Sequence, residues 1–320
     1  MVLQRNILKA ILYGVVASMF LSSTFIINSL ISGAGGHWAW TAALRTLFLI
    51  PILCLVVWMG GKLKETITAI RQSPWIFFKW GTIGFGCLYT LLAIASLWSP
   101  GWMVAATFQI NILAGILLAP LIYPDDRRIV PKRPLILSMI ILAGVFLIQL
   151  EKLTQLHGAG KTVLSFLIVL AGAVLWPLGN RKLMVDLEQK GLQLNALQRV
   201  LGMSIGCIPL LVILAAIGFS RSGAPTLAQC TSSCLSALFS GLLGGVGFYQ
   251  ATQIVSKNTV ALAAIEATQA LEIFFTLIAE MVLRGTAFPG FYPRIGFAIV
   301  LLGVTIHFWN AWRHTKKLVV

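Results

Sequence analysis

The sequence predicts an all-helical integral membrane protein in which ten transmembrane helices form two inverted five-helix repeats, with both termini in the cytoplasm. Three observations favour this fold. Hydrophobic residues make up 58% of the 320 positions and charged residues only 10%, whereas a soluble domain carries about 25% charge. Ten apolar runs come close to, or exceed, the length that a helix needs to cross the hydrocarbon core. Related motifs recur in the two halves of the chain.

The ten predicted spans are joined by short connections with turn-forming glycine and proline residues. They cover residues 10–31, 38–59, 75–97, 101–123, 134–150, 162–183, 197–219, 235–256, 259–283 and 292–312. The basic start and the following apolar run, which has no Ala-x-Ala site, indicate a retained first helix rather than a cleaved signal. Residues 1–152 and 153–320 are therefore predicted to be two repeats within one membrane domain.

Lysine and arginine residues set the predicted orientation. With both termini inside, 18 of the 24 basic residues lie in cytoplasmic segments, five lie outside, and Arg45 lies within a span. The five outside are Lys152, Lys161, Arg221, Arg284 and Arg294. This bias is the positive-inside pattern. It accounts for the formal net charge of +15 without a nucleic-acid partner.

Four motifs of the first half recur in the second half, at offsets of 154, 160, 158 and 159 residues. Ala42–Leu47 aligns with Ala196–Leu201; Gly81, Gly84 and Tyr89 align with Gly241, Gly244 and Tyr249; Ala105, Ala106 and Asn111 align with Ala263, Ala264 and Gln269; and Ile141–Val145 aligns with Val300–Val304. Because each half has five spans, the second half crosses the membrane in the opposite sense. Inverted repeats are typical of alternating-access transporters, whose sites lie near the midplane.

Span 9 holds three of the nine acidic residues, Glu266, Glu272 and Glu280. A carboxylate at membrane depth costs about 2.5–3.5 kcal/mol on insertion scales, so it normally faces protein or water and marks a functional path. At 100° per residue, Gln269, Thr276 and Glu280 lie on the same side of the helix as Glu266. The repeat partner of Glu266 is the uncharged Phe108. The two halves therefore differ in charge at this point, and Glu266 and Glu272 are the leading candidates for proton and substrate binding.

This pattern resembles the drug/metabolite transporter superfamily, in its ten-helix, EamA-like form. The resemblance rests on the inverted five-plus-five arrangement, the basic inside loops and the Gly-Val pairs at 144–145 and 303–304. The stretches Ala263–Glu272 and Ile278–Glu280 are similar to its multidrug-resistance efflux branch. The resemblance covers essentially the whole chain and implies a central cavity to which the first, third, fourth, sixth, eighth and ninth helices contribute. Small multidrug-resistance proteins carry an essential glutamate in the first helix, whereas span 1 offers only Ser22, Ser23, Thr24 and Asn28; by role, the carboxylate has moved to span 9.

Further polar and aromatic residues at membrane depth are candidates for lining that cavity. They are Tyr249, Gln250 and Gln253 in span 8, Gln109 and Asn111 in span 4, and Trp176 in span 6. The Trp176 ring could stack on a cationic substrate. A carboxylate that a proton and a cation occupy in turn gives antiport, because the two ligands compete for one site.

Arg45 lies about 10 Å from the outer end of span 2. Either it snorkels outward or it pairs with Glu280, which lies towards the same side and suits a gate or a cap. Cys230 and Cys234 share a short loop and could form a disulfide if that loop faces an oxidising compartment.

The sequence thus predicts a secondary transporter of a bacterial inner membrane that exports small molecules by proton-coupled alternating access. One alternative is an uncoupled or exchange carrier for polar metabolites such as amino acids or nucleotide sugars, with Arg45 as an anion anchor. Another is a non-transporting scaffold or lipid-handling protein. The sequence shows no Walker motif, metal-ligand cluster or Ser/His/Asp set, so neither an enzyme nor a cofactor is expected; the oligomeric state stays open.

Overall fold

The computed structural model describes residues 2–130, 132–153, 159–256 and 258–319, and every regular element among them is helical. The first half contains α1 (Val2–Leu21), α2 (Ser23–Gly33), α3 (Trp38–Met59), α4 (Leu63–Gln72), α5 (Pro74–Gly81), α6 (Leu88–Ala95), α7 (Gly101–Phe108), α8 (Ile110–Leu117), α9 (Ala119–Ile122) and α10 (Lys132–Leu153). The second half contains α11 (Ala159–Gln189), α12 (Ala196–Gly206), α13 (Ile208–Ser222), α14 (Leu227–Ser236), α15 (Gly247–Ile254), α16 (Thr259–Thr268), α17 (Glu272–Arg284) and α18 (Phe291–Val319).

These helices make a multi-pass membrane protein. In the described residues, eight continuous or nearly continuous helices are long and apolar enough to span a membrane, and a ninth is added if α12 and α13, bent by 51°, count as one span. The helix over Gly101–Leu117 is apolar but shorter. The all-helical class and the repeated crossing of a membrane therefore agree with the sequence, while the count of ten stays a prediction.

Two elements differ from the predicted spans. The amphipathic helix α4 occupies a stretch that the sequence assigned to a connection, and it buries Thr66 and Ala69. The predicted sixth span ends at residue 183, whereas α11 continues to Gln189. Arg181, which was counted among the basic residues of the cytoplasmic side, lies inside α11 and is buried.

Several of the long helices change their winding part way along. A π-helical segment, Thr82–Cys87, joins α5 to α6, and a second one, Ala237–Val246, joins α14 to α15. In the ninth predicted span, a 3₁₀ turn over Gln269–Leu271 separates α16 from α17. The Ser18 hydroxyl of α1 donates to the Thr268 carbonyl at this turn (2.8 Å). Such interruptions of a membrane helix need partners from neighbouring helices, because lipid offers none.

The helices α10 and α18 pack closely along their length through glycine. A Cβ added at Gly296 would lie 2.5 Å from the Gly144 carbonyl oxygen, and one added at Gly144 would lie 2.7 Å from the Gly296 carbonyl oxygen. Small residues let membrane helices approach at the backbone, where van der Waals contacts drive their association.

Replacing Gly296 with leucine is therefore expected to lower the free energy of unfolding by about 1–3 kcal/mol, because overpacking forces the two backbones apart. Denaturation of the purified protein in detergent measures the change. Gly160→Leu is the matched control, since nothing lies within 4 Å of a Cβ added there. Equal stability of the two variants would contradict the close approach.

Candidate functional site

Two neighbouring cavities among the described helices share lining residues. The first, called the Glu266 cavity, has about 520 Å³ of space not filled by atoms. It is lined by Asn111, Tyr123, Arg127, Trp176, Pro177, Asn180, Arg181, Met184, Phe248, Thr252, Ser256, Leu262, Glu266 and Gln269. It lies towards the end of the bundle at which Arg127 contacts Glu188. This end of the bundle is called the basic end.

A nearly buried ion pair forms one wall of the Glu266 cavity. The Arg181 guanidinium of α11 donates to Glu266 Oε1 of α16 and to the Gly115 carbonyl oxygen of α8. The exposed fractions of the two charged side chains are only 8% and 12%. A Cβ added at Gly115 would lie 2.7 Å from Arg181 Nη2, so the missing side chain makes room for the guanidinium. The pair joins three helices beside the cavity.

A second arginine closes the basic end. Arg127 Nη2 lies 2.7 Å from both Asp125 Oδ2 and Glu188 Oε2, and its guanidinium carbon lies 4.7 Å from the centre of the Tyr123 ring. The hydrogen bonds from Arg127 hold the pKa of the exposed Asp125 below its usual value. This contact joins the connection after α9 to the end of α11.

The second cavity is called the Glu272 cavity. It has about 280 Å³ of space not filled by atoms. It is lined by Leu21, Thr24, Phe25, Leu88, Tyr89, Leu92, Phe108, Trp176, Ser240, Gln269 and Glu272. Trp176 and Gln269 line both cavities. The Trp176 ring contacts four aromatic rings, Phe85, Phe108, Phe248 and Tyr249, at centroid distances of 5.9–6.5 Å. Trp176 therefore connects an aromatic cluster to the walls of both cavities.

Glu272 begins α17 directly after the 3₁₀ turn, and only 1% of its surface is exposed. Its Oε1 atom is buried without a hydrogen-bond partner among the described residues. Among the described residues, no basic side chain lies within ion-pair distance of Glu272, whereas Glu266 pairs with Arg181. A buried carboxylate without a cation is stabilised by binding a proton or a cationic ligand.

Two buried arginines stack on tyrosines at related positions of the two halves. The Arg45 guanidinium carbon lies 3.6 Å from the centre of the Tyr89 ring, and that of Arg199 lies 5.4 Å from the centre of the Tyr249 ring. Arg45 Nη2 also donates to Ser240 Oγ (3.0 Å). In the described part of the chain, Arg45 Nε and Nη1 and Arg199 Nε and Nη2 are buried without hydrogen-bond partners.

Neither alternative for Arg45 matches this arrangement. The side chain does not snorkel outward, because it is 3% exposed, and it does not pair with Glu280. Glu280 instead accepts hydrogen bonds from the Gly101 and Trp102 amides (3.0 and 3.3 Å) and lies 3.8 Å from Arg284. Those amides are free because they begin α7, and a carboxylate is favoured at a helix N-terminus. Glu280 thus caps α7.

Of the other predicted residues, the structure places some at the cavities and others away from them. Asn111 and Gln269 line the Glu266 cavity. Gln109 is buried, but its amide donates to the Ala105 carbonyl (3.0 Å) and it lines neither cavity. Gln250 is exposed and lines neither of these two cavities.

In span 8, the residues that line the two cavities are not the ones that the sequence named. Phe248 and Thr252 line the Glu266 cavity, whereas Gln253 is exposed and lines a separate groove with Arg199 and Glu188. Tyr249 lies behind the cavity wall, with its hydroxyl 3.5 Å from Met203 Sδ. The sequence missed Arg181 and Ser240 as well. The need of Glu266 for a cation was the signal that could have identified Arg181.

The cysteines and the acidic side chains were further candidates for a site. Cys230 and Cys234 lie on the helix α14, not in a loop, and both are free thiols. Within the part of the chain that the structure describes, no group of three His, Cys, Asp or Glu side chains is placed to hold a metal ion.

Comparison with known proteins places this arrangement in a protein family. Residues 8–313 match the family model described as "EmrE: Putative multidrug resistance efflux transporter". The chain is 39% identical over 320 residues to the "Uncharacterized protein YjlA" of Bacillus subtilis (strain 168), covering 97% of this chain and 98% of that protein. It is 36% identical over 272 residues to an "Uncharacterized 42.1 kDa protein" of Shouchella clausii, covering 83% and 70% of the two chains. A crystal structure with a TM-score of 0.63 and 16% identity covers 95% of this chain and 98% of its own, which shows a shared fold.

Proposed function

The chain belongs to the family described as "Putative multidrug resistance efflux transporter", and from this premise we propose that it exports small molecules across a bacterial inner membrane in exchange for protons. The family is one of transporters rather than of enzymes. The single observation that supports proton coupling is the state of Glu272. This buried carboxylate lies beside a cavity, and it has no cation partner among the described residues. Proton and substrate take turns at this carboxylate.

The proposed architecture has ten spans in two inverted repeats, residues 1–152 and 153–320, with both termini in the cytoplasm. The proposed transport mechanism is alternating access. Three pairs of features at related positions support it. They are the π-helical segments at Thr82–Cys87 and Ala237–Val246, the breaks after Phe108 and after Thr268, and the Arg45–Tyr89 and Arg199–Tyr249 stacks. Sites of such transporters lie at the interface of the repeats, often beside broken helices.

The chemistry of the cavity walls suggests the class of substrate. Trp176 and Phe108 offer aromatic faces, and Glu272 offers a negative charge once its proton is lost. Aromatic faces together with a carboxylate favour a lipophilic cation, because the ring quadrupole attracts positive charge. We therefore propose a cation with an apolar body as the exported substrate.

Glu266 has a different role in this proposal. Arg181 neutralises it, so a proton or a cation gains less by binding there than at Glu272. The Arg181–Glu266 pair instead connects α8, α11 and α16 at the basic end. It acts as a gate that holds this end in one arrangement and breaks when the bundle rearranges.

The experiment that tests the proposal uses proteoliposomes loaded with a pH-sensitive dye. Tetraphenylphosphonium, added as a lipophilic cation, is expected to drive proton movement through the intact protein and not through Glu272→Gln, which cannot ionise. Glu280→Gln is the matched control because it keeps an acceptor for the α7 amides, and its proton flux is expected to stay close to that of the intact protein.

Each other outcome rejects a stated part of the proposal. Unchanged proton flux in Glu272→Gln would remove Glu272 from the coupling step. Substrate movement without a pH signal, in this assay or with amino acids as the substrate, would favour the exchange carrier. Binding of substrate without any movement would favour the scaffold.

A further inference from the structure

A groove between α10 and α18 lies at the end of the bundle, apart from the two cavities. Its walls are Arg133, Ile136, Leu137, Ile306, Trp309, Asn310 and Arg313. They enclose about 1040 Å³ of space that is open to the surroundings. The transport proposal makes no use of this groove. It combines two cationic side chains from two helices with an apolar floor.

None of the acidic side chains that the structure describes pairs with these two arginines. Neither Arg133 nor Arg313 is within 4 Å of a carboxylate in the part of the chain that the structure describes. The sequence of α18 contains no acidic residue, and the acid of α10, Glu151, lies 18 residues from Arg133, or about 27 Å along the helix. Of the two acids shortly before α10, Asp125 is bound by Arg127, and Asp126 forms no ion pair with either arginine among the described residues. A ligand for this pair must therefore bring its own negative charge.

The surroundings indicate that this ligand comes from the membrane. Ile136 and Met139 on α10, and Leu302 on α18, are exposed on the outer surface of these two apolar spans. Trp309 is 58% exposed, and the Arg313 guanidinium carbon lies 4.8 Å from the centre of its ring. Tryptophan with arginine at the end of a span is typical of the headgroup level of a bilayer. The apolar floor thus continues from the groove along the lipid-facing surface.

We propose that this groove binds an anionic phospholipid, whose phosphate lies between Arg133 and Arg313 and whose acyl chains follow Ile136 and Ile306. Basic pockets between membrane helices are known to bind anionic headgroups. A soluble anion would meet the same two arginines but would leave the apolar floor uncovered. The bound lipid joins the ends of α10 and α18.

The test reconstitutes the protein in nanodiscs that contain equal amounts of phosphatidylglycerol and phosphatidylcholine. After detergent extraction, native mass spectrometry counts the lipids of each kind that stay bound. The intact protein is expected to retain phosphatidylglycerol in preference, and the double variant Arg133→Gln/Arg313→Gln is expected to lose that preference about tenfold or more. Both arginines are exposed, so the variant is expected to fold.

A matched control separates this groove from a general effect of charge. Lys64→Gln/Arg71→Gln removes the same charge from exposed positions of α4, and its lipid preference is expected to equal that of the intact protein. Equal preference in the groove variant and the intact protein would overturn the proposal, as would an equal loss in both variants. Displacement of the lipid by millimolar glycerol phosphate, or a change of the oligomeric mass in the groove variant, would instead assign the groove to a soluble anion or to a second copy of the chain. The measurement needs no transport, so it stands or fails apart from the proton-coupling proposal.

Discussion

Replacing Arg181 with alanine is expected to lower the free energy of unfolding by about 3 kcal/mol, because removing one partner of a buried ion pair leaves the other charge uncompensated. The expected cost lies near the lower end of the range for buried pairs, since Glu266 is 12% exposed and is not fully removed from its surroundings. Arg181 also donates to the Gly115 carbonyl, which would lose its partner. Denaturation of the purified protein in detergent, at constant pH, measures the change.

A second variant distinguishes the ion pair from simple packing. Arg181→Met/Glu266→Met removes both charges, and its stability is expected to recover most of the loss, because a buried pair replaced by apolar residues is often neutral or stabilising. Lys190→Ala, which removes an exposed cation just after α11, is expected to change stability by less than about 0.5 kcal/mol. If the double variant is no more stable than Arg181→Ala, the loss comes from packing and not from an unpaired Glu266.

The helical class could be predicted from the sequence, whereas the partner of Glu266 was missed. Composition alone separates a membrane bundle from a soluble domain, and the cost of an acid at membrane depth led to the prediction that Glu266 and Glu272 have a role. Arg181 was counted among the basic residues of the cytoplasmic side, because such residues concentrate there. In the structure its guanidinium is buried against Glu266 and the Gly115 carbonyl, which are contacts between helices far apart in the sequence.

The winding of the long helices is a second feature that the sequence did not show. A uniform 100° per residue assumes a regular α-helix through span 9, whereas the 3₁₀ turn at Gln269–Leu271 interrupts it. In span 8, the π-helical segment Ala237–Val246 precedes α15; Phe248 and Thr252 line the Glu266 cavity, and Gln250 is exposed. This segment contains three glycines, but glycine alone does not predict π-helical winding.

Replacing Trp176 with alanine is expected to lower the free energy of unfolding by about 3–5 kcal/mol, the usual cost of emptying a buried aromatic site. The ring is 5% exposed and contacts Phe85, Phe108, Phe248 and Tyr249, so the surrounding rings cannot all collapse into the space that it leaves. Denaturation in detergent gives the measurement. Trp58→Ala, at an exposed position near the end of α3, is the control and is expected to cost far less.

The same change also tests whether Trp176 keeps the two cavities apart. Because its side chain lines both, its loss joins the space beside Glu266 to the space beside Glu272. A joined, polar path across the bundle would let protons pass without substrate, so proteoliposomes with Trp176→Ala are expected to show a faster proton leak than those with the intact protein. Trp176→Phe keeps an aromatic ring between the cavities and is expected to leak less than the alanine variant. If the proton leak of both variants equals that of the intact protein, the indole does not separate the cavities. The separation then depends on neighbouring lining residues, Phe108 and Gln269.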